Sequence, residues 1–457
     1  MPRLPLHFQT IAELHAAYRA GDLLPAQAVD ACLARIAQLD DTLHAFLSVD
    51  GDHARVAANR VAGRWSEAQP LRGVPYALKD NFDVAGLPTT CHSRLLADRI
   101  AECDGATQRL LDEAGAILLG KNSLHELATG GPSFDLAWPP ARNPWDATRH
   151  PGGSSSGSAV AVAAGMAWFA LGTDTSGSVR HPATACGIYG FKPTFNEIST
   201  DGVVPLSASF DHVGVLTRGA RDLAIVLSVL AERATHRAAW ASLAQRREPA
   251  LLKGRCVGII DAFATDLDPD PEIGEAFERT VSDLVRAGCR VERLRVDSLE
   301  RYTVCARTLS SAEAYVEYGA AVDARPELFG QRTRDRFAKG RVVTPGQVRD
   351  MRLEQARLSA QLADELASVD VALSLSSLHL PCAIDDVDEI VRTYDRQART
   401  PFNLTGMPAV SLPCGVAESG LPQGVHLAAG RGCDVGLIEF AMGMEAQGLC
   451  GFVAPGA

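Results

Sequence analysis

Two serines and one lysine are the residues whose types and surroundings suit covalent catalysis. Ser154 lies in a run of small residues, 152–158, and Ser178 lies in a second small run, 175–178. A serine hydroxyl is a weak nucleophile that needs a base within hydrogen-bonding reach. Lys79 directly follows a short apolar stretch, and a desolvated lysine can lose its proton and serve as that base. Acyl transfer to a serine is the chemistry that these residues could perform together.

The local sequence leaves other interpretations open. Residues 153–157 fit the Gly-x-Ser-x-Gly pattern of a nucleophile elbow, but that pattern needs a strand directly before it, and 143–151 have the composition of a loop. A phosphate-binding loop would end in Gly-Lys-Ser/Thr, and this one does not. Taken singly, Ser154 fits an ordinary turn. Lys79 could equally be a surface lysine or pair with Asp80 or Asp83.

Hydrophobic patterning predicts the elements around the two serines. Residues 159–164 are alanine and valine and predict a buried helix opened by polar capping residues. Residues 166–174 predict a strand, followed by the Ser178 turn and a short helix. Ser178 is therefore expected where a strand ends and a helix begins. Free backbone N–H groups at such a junction could stabilise an oxyanion.

Strand and helix patterns alternate along the rest of the chain. Strands are predicted at 74–78, 116–120, 257–260, 290–296, 409–412 and 424–428, and helices at 104–115, 220–231, 272–287, 308–367 and 434–446. Loops are expected at 129–150 and 191–194, and a polar surface excursion at 235–250. The alternation predicts an α/β fold, a single large domain with a mixed twisted β-sheet covered by helices on both faces.

Four regions of that domain are expected along the chain. They are a helical N-terminal segment at 8–65, a catalytic core at 72–216, a variable and largely helical region at 235–400, and a C-terminal return of sheet and helix at 401–450.

Composition limits the class of partner and compartment. The chain has 457 residues, of which 46% are hydrophobic and 22% are charged, as in ordinary globular proteins. Its net charge of −11 argues against a nucleic-acid-binding surface. No apolar run predicts a membrane span, and the first residues lack the apolar core of a signal peptide. With 11 cysteines and no CxxC pair, we expect a cytoplasmic protein in a reducing compartment.

Several motifs together resemble those of the amidase signature family. The chain contains Gly-Gly-Ser-Ser-Ser-Gly at 152–157, Gly-Thr-Asp at 172–174 and Ser-Val-Arg-His-Pro-Ala at 178–183. The segment around Lys79, Asn-Pro-Trp-Asp at 143–146, Gly-Phe-Lys-Pro-Thr at 190–194 and residues 401–409 are similar to further segments of that family. The likeness extends over residues 8–450 and is densest between 72 and 216.

The resemblance implies a Ser-cisSer-Lys triad that requires no cofactor. Carried over position by position, Ser178 is the nucleophile, Ser154 is a bridging serine in a cis peptide, and Lys79 is the base. The lysine can act as a base only when neutral, so its pKa must fall well below the usual value of about 10.4.

Neighbouring residues carry over as supports of the triad. The oxyanion hole is expected from the backbone N–H groups of Thr175, Ser176, Gly177 and Ser178. Three further side chains are expected to brace the site: Ser155, Asp174 and Arg180. Ser176 departs from the family pattern, which has Gly or Ala there, so its hydroxyl could alter substrate fit. Residues 374–378 also depart from a usual Pro/Thr-rich turn, which leaves the shape of the acyl pocket open.

The substrate pocket is predicted from loop composition. Thr129, Gly130 and Gly131 begin the loop 129–136, which we expect to line the pocket together with residues near 332–341 and 394–399. The arginines there could receive an anionic substrate or simply face solvent. The histidines at 125, 150, 181 and 212 are scattered, so no metal site is predicted.

The resemblance implies hydrolysis of a small carboxylic amide to an acid and ammonia or amine, through an acyl-enzyme on Ser178. The glutaminase component of a tRNA-dependent amidotransferase is the main alternative, and a catalytically silent scaffold of the same fold is a second. The expected partner is a small-molecule amide, with no nucleic acid and no membrane. A homodimer or a small accessory subunit is left open.

Overall fold

Eleven strands form one continuous mixed sheet in this computed structural model, which describes residues 5–63, 69–246, 248, 250–264, 268–394 and 398–456. The strands are β1 (Phe46–Val49), β2 (Pro75–Lys79), β3 (Ile117–Asn122), β4 (Phe169–Asp174), β5 (Tyr189–Lys192), β6 (His212–Thr217), β7 (Cys256–Ile259), β8 (Arg290–Arg293), β9 (Val371–Leu375), β10 (Ala409–Val416) and β11 (Pro422–Ala428). Their order across the sheet is β1-β3-β2-β4-β6-β5-β10-β11-β9-β7-β8.

Fifteen α-helices surround the sheet within the described ranges. They are α1 (Ile11–Ala20), α2 (Pro25–Leu43), α3 (Gly51–Val61), α4 (Ala106–Glu113), α5 (Ser156–Ala163), α6 (Arg180–Cys186), α7 (Ala220–Leu230), α8 (Ala234–Gln245), α9 (Pro271–Arg286), α10 (Leu299–Ala324), α11 (Gln331–Arg341), α12 (Pro345–Leu366), α13 (Val387–Tyr394), α14 (Pro401–Leu404) and α15 (Asp434–Ala446).

Helices cover both faces of the sheet. Phe169 and Leu171 of β4 belong to a large apolar core that α7 and α15 share, whereas Ala170 between them belongs to a second core shared with α5 and α6. Successive side chains of a strand point to opposite faces, so these two cores lie on opposite sides of the sheet. This arrangement confirms the predicted α/β fold with helices on both faces.

The strand order makes the whole chain one α/β domain. The six strands from the N-terminal half occupy one end of the sheet, and the five later strands occupy the other. The junction is an antiparallel pairing of β10 with β5, in which Val410 lies opposite Phe191. No edge separates the two halves at this junction, so their backbones are hydrogen-bonded into one unit.

Two structured segments were not expected from the sequence. The predicted all-helical segment 8–65 contains β1, a short partly buried edge strand that pairs antiparallel with β3; its last two residues, 64 and 65, lie outside the described residues. The predicted surface excursion at 235–250 is wrong over its first part, where α8 forms. Trp240 and Leu243 are buried and anchor this alanine-rich helix. Residues 247 and 249 are outside the described ranges.

Three buried strands also went unpredicted. Residues 191–194 were expected to be loop, but Tyr189–Lys192 form β5, and no strand was expected where His212–Thr217 form β6 and Val371–Leu375 form β9. All three are interior strands of four to six buried residues. So short an apolar run shows no alternation from which a strand could be told from a loop.

The predicted helical region 308–367 is confirmed as helix, but it is broken into three. It begins earlier than expected, with α10 at Leu299, and continues through α11 and α12. Residues 129–150 contain no helix or strand, as predicted, and this loop is described throughout. Across the described ranges, no helix combines the length and apolar character needed to cross a lipid bilayer.

Candidate active site

Lys79 ends the buried strand β2 and reaches Ser154. It lies at 0% exposure, and its Nζ is 2.8 Å from Ser154 Oγ and 2.7 Å from Thr173 Oγ1. β2 lies between β3 and β4, so the end of a strand in the middle of the sheet keeps the amine away from water. Burial lowers the pKa of Lys79 to about 7, although Asp211 and Asp174 act in the opposite direction. Near neutral pH the amine is therefore available as a base.

Ser154 follows a cis peptide bond, Gly153–Ser154. Its carbonyl accepts a hydrogen bond of 3.0 Å from the backbone N–H of His125. The ring of His125 lies directly against Gly153, where a Cβ atom would come within 2.0 Å of the ring. A residue larger than glycine cannot occupy position 153 with this ring in place. The absence of a side chain at Gly153 therefore allows the His125 ring to pack against the backbone next to Ser154.

Ser178 lies in the turn between β4 and α6, as predicted, and it is only partly buried. The carbonyl of Ser178 accepts a hydrogen bond of 3.0 Å from the N–H of Ser155, which ties the two serine loops together. Ser178 and Ser154 line the same cavity. No hydrogen bond joins their two hydroxyls, and both residues are described. The Ser155 hydroxyl donates to the Thr173 carbonyl at 3.1 Å.

Asp174 organises the turn that carries Ser178. Its carboxylate accepts hydrogen bonds from the N–H groups of Gly177 at 2.7 Å and Val179 at 3.1 Å, and it forms an ion pair with Arg180 at 3.0 Å. Burial opposes ionisation of Asp174, but Arg180 outweighs it and holds the pKa of this carboxyl far below its usual range. The carboxylate is therefore charged and fixes the loop.

The same contact corrects one part of the expected oxyanion hole. The Gly177 N–H already donates to Asp174, so it is not open to a substrate oxygen. Among the described residues, no acceptor engages the N–H groups of the other three expected donors: Thr175, Ser176 and Ser178. Asp174 was expected only to brace the loop, but its carboxylate also accepts the hydrogen bond of one of the four N–H groups expected to form the oxyanion hole.

Arg180 extends this bracing to the C-terminal half of the chain. Its guanidinium donates to the Arg399 carbonyl at 3.0 Å and to the Asn403 side-chain oxygen at 2.6 Å. The Asn403 amide donates in turn to the Asp174 carbonyl at 2.8 Å. The side chain of Arg399 packs against Gly177, which has φ of +121°. Residues more than 200 positions later thus hold the Ser178 turn.

Several functional side chains escaped the sequence analysis. Thr173 binds the Lys79 amine, and Asn81 donates to the same hydroxyl at 3.2 Å. Asp211 accepts a hydrogen bond of 2.6 Å from Thr175 beside the expected oxyanion hole. Thr173 lies within the Gly-Thr-Asp motif and could have been found from it. Asn81 and Asp211 have no distinguishing local pattern.

Ser154 and Ser178 open onto a cavity of about 230 Å³. Its lining includes the expected loop residues Thr129, Gly130 and Gly131. The expected segments near 332–341 and 394–399 also contribute, through Arg332, Arg336, Lys339 and Tyr394; residues 395–397 lie outside the described residues. In the described part of the chain, no group of three or more His, Cys, Asp or Glu side chains could hold a metal ion.

Comparisons with known proteins show the family of the chain. The family model named Amidase matches residues 27–438. The chain belongs to the amidase family. A curated relative from Prochlorococcus marinus (strain MIT 9303), the A-type component of its glutamyl-tRNA(Gln) amidotransferase, is 35% identical over 92% of this chain and 93% of its own length. The chain is therefore related to enzymes that act on amides.

Solved structures of this amidase family superpose on nearly the whole chain. One described as an amidase has a TM-score of 0.85 at 29% identity, covering 96% of this chain and 100% of its own. The native peptide amidase from Stenotrophomonas maltophilia has a TM-score of 0.83 at 28% identity, covering 99% of both chains. The amidase signature resemblance inferred from the motifs is confirmed.

Proposed function

We propose that this chain hydrolyses a carboxylic amide through an acyl-enzyme on Ser178. The observation that carries the proposal is the fully buried Lys79 amine, 2.8 Å from Ser154 Oγ and with a pKa of about 7. Burying a lysine amine that forms no ion pair among the described residues is costly, so packing alone does not explain its position. As the base of a relay the amine has a clear purpose.

In the proposed reaction, Lys79 accepts the proton of Ser154 while Ser154 accepts that of Ser178. Ser178 Oγ then attacks the amide carbon, and the N–H groups of Thr175, Ser176 and Ser178 stabilise the negative oxygen. The relay returns its proton to the nitrogen as the C–N bond breaks, which leaves an acyl group on Ser178 and releases ammonia or amine. A water molecule activated by the same relay hydrolyses the acyl-enzyme and restores Ser178.

Two settings for this reaction have specific support. Similarity to the curated amidotransferase component favours a glutaminase that works inside a complex, and this is the better supported setting. Similarity to the solved amidase and peptide amidase structures supports a free-standing amidase. The chemistry at Ser178 is common to both, so the setting decides partners and substrate but not mechanism.

Labelling with a fluorophosphonate probe tests the proposed nucleophile. The purified chain should form a covalent adduct at Ser178, located by peptide mass analysis, and Ser178→Ala should abolish it. Ser158→Ala is the matched control. The Ser158 hydroxyl donates a hydrogen bond of 3.0 Å to the Leu171 carbonyl, and Ser158 does not line the cavity. A chain that never labels at Ser178 would be a silent scaffold, and the proposal would fail.

An amide panel with ammonia detection separates the two settings. Glutamine and simple amides are offered to the chain with and without extract of its own cells. Hydrolysis of glutamine only in the presence of extract identifies one component of a complex. Hydrolysis of simple amides by the purified chain alone identifies a free-standing enzyme.

A further inference from the structure

The cavity of the two serines has a positively charged wall. Arg332, Arg336 and Lys339 of α11 line it, together with Arg307 of α10. Among the described lining residues, Asp335 is the one carboxylate. The chain as a whole has a net charge of −11, so this excess of positive charge runs against its composition. Charged walls of one sign in a narrow cavity attract ligands of the opposite sign.

Arg332 differs from Arg334 and Arg341 of the same helix in having no hydrogen-bond or ion-pair partner among the described residues. Arg334 donates to the backbone carbonyls of Pro326 and Phe329, and Arg341 forms an ion pair with Asp323. No described residue forms a hydrogen bond or ion pair with the partly buried Arg332. A guanidinium has five N–H donors in a planar fork that fits a carboxylate. Such a partly desolvated and unpaired group needs an acceptor from water or from a ligand, and an anionic ligand pairs with its charge as well.

The loop predicted to line the pocket fixes the place of this guanidinium. A Cβ atom at Gly131 would lie 3.1 Å from Arg332 Nη1, and Gly131 has φ of +105°. The missing side chain at Gly131 therefore lets Arg332 lie against the backbone of the cavity wall. Gly130 makes a similar approach, since its Cβ position is 3.5 Å from the Arg332 Cβ atom.

Two further polar atoms of this cavity are buried without partners. They are the hydroxyl of Tyr394 and Nε2 of His125, both on residues that line it, with ring centres 5.7 Å apart. Burial lowers the pKa of His125, and the charges of Lys79, His150 and Arg332 act in the same direction, so the ring is neutral. A neutral imidazole and a phenol can each donate one hydrogen bond. Buried groups left unsatisfied in this way call for a ligand or water.

We propose that the amide substrate carries a carboxylate, which Arg332 binds, with Tyr394 and His125 as further hydrogen-bond donors around the cavity. This inference rests on the proposed amide hydrolysis and names its substrate class. A cavity of about 230 Å³ lies below the range of roughly 300–1,000 Å³ for drug-sized ligands, so the substrate is small. Monoamides of short dicarboxylic acids fit this description, and glutamine shares the carboxylate.

A pair of amides of equal length tests the charge requirement. Succinamate and butyramide have the same four-carbon acyl chain, but only succinamate carries a carboxylate. Hydrogen bonds to a charged group contribute about 1.5–3 kcal/mol, so kcat/KM for succinamate should exceed that for butyramide by about 10- to 100-fold. Arg332→Met should remove this preference by raising KM for succinamate, so that the same variant hydrolyses succinamate and butyramide with similar kcat/KM. Arg332→Lys should retain part of the preference.

Arg341→Met is the matched control on the same helix. Arg341 is half exposed, lies outside the cavity lining and pairs with Asp323, so its loss should leave the preference intact. Equal kcat/KM for the two amides in the native chain, with Ser178 still labelled, would overturn the carboxylate site and leave the proposed hydrolysis standing.

Binding without turnover separates the two proposals. Calorimetry of succinamate with Ser178→Ala measures recognition after the chemistry has been removed. Binding that disappears in the double variant Ser178→Ala/Arg332→Met supports the carboxylate site even if the native chain fails to turn over. Binding that Arg332→Met leaves unchanged, or no binding of succinamate at all, overturns it.

Discussion

At Lys79 an ionisable amine is held where ionisation is unfavourable. Burial lowers the pKa of Lys79 in the folded protein from the usual 10.5 to about 7. The fraction of neutral amine therefore increases as the pH rises through 7. Only that form can accept a proton from Ser154. We predict that the rate of fluorophosphonate labelling rises about tenfold per pH unit below pH 7 and levels off above it. A rate that stays flat between pH 5.5 and 8 would contradict Lys79 as the base.

Two fully buried lysines, Lys79 and Lys121, should respond differently to replacement by methionine: the first should lose activity and the second stability. Lys79→Met should lower kcat by about 10²–10⁴-fold, the usual contribution of a general base, and leave the midpoint of urea unfolding nearly unchanged. Lys121, which forms an ion pair of 2.9 Å with Asp80, should behave differently. Its replacement by Met leaves a buried carboxylate unpaired and should cost about 3–5 kcal/mol of unfolding free energy.

Kinetics and urea titration of both variants, side by side, check this prediction. If Lys79→Met retains native kcat while folded, the assignment of the base is wrong. If Lys121→Met loses no stability, the ion pair with Asp80 contributes nothing and the contrast between the two lysines disappears.

The proximity of Lys79, Ser154 and Ser178 could be predicted from sequence, but their surroundings could not. The motifs around these residues resemble those of the amidase signature family, and that resemblance implied their meeting. The use of the Gly177 N–H by Asp174 depends on how a turn closes, and no pattern of residue types encodes it. Asn403 reaches Asp174 from 229 positions away, and a contact over that separation leaves no local trace.

At the scale of elements, Gly157 allows α5 to pack closely against the backbone of Ala45 and Ser123. A Cβ atom at Gly157 would lie 2.2 Å from the Ala45 carbonyl and 2.7 Å from the Ser123 backbone nitrogen. Backbone atoms cannot move aside as side chains can, so α5 must shift if this position enlarges. The helix begins directly after Ser155, and any shift is passed to the serine loop.

Gly157→Ala should therefore destabilise the fold by about 1–3 kcal/mol, the usual cost of overpacking, and should slow labelling of Ser178. Gly274→Ala is the matched control. Gly274 lies inside α9, and its Cβ position has no atom within 4 Å, so alanine should stabilise the fold by about 0.5–1 kcal/mol. Urea titration of both variants gives the two free energies, and equal effects would show that the close backbone approach is not limiting.

Three of the elements missed from sequence owe their structure to the residues that pack on them. β5 and β9 are short strands buried on both faces, so they carry no alternation, and α8 is held by two buried side chains in an otherwise polar stretch. Their structure is decided by what packs on them. The amphipathic α9 was predicted to within one residue at each end, because a helix with one apolar face carries its own signal.

For the whole molecule, the continuous sheet predicts one cooperative transition. The two halves share the pairing of β10 with β5, and a core that includes Val410 and Phe191 spans it. Neither half can unfold without exposing backbone hydrogen-bonding groups of the other. Differential scanning calorimetry should therefore show a single peak. Two separable peaks would mean that the chain is divided into independent domains, contrary to the predicted single domain.

The late position of Arg399 and Asn403 in the chain bears on biosynthesis. A polypeptide still emerging from the ribosome can already contain Lys79, Ser154 and Ser178 before Arg399 and Asn403, which hold the Ser178 turn, have been translated. β10 comes later still in the chain and pairs with β5. If Ser178 acts as we propose, hydrolytic activity should therefore appear only when nearly all of the polypeptide has been made, and products truncated before residue 399 should be inert.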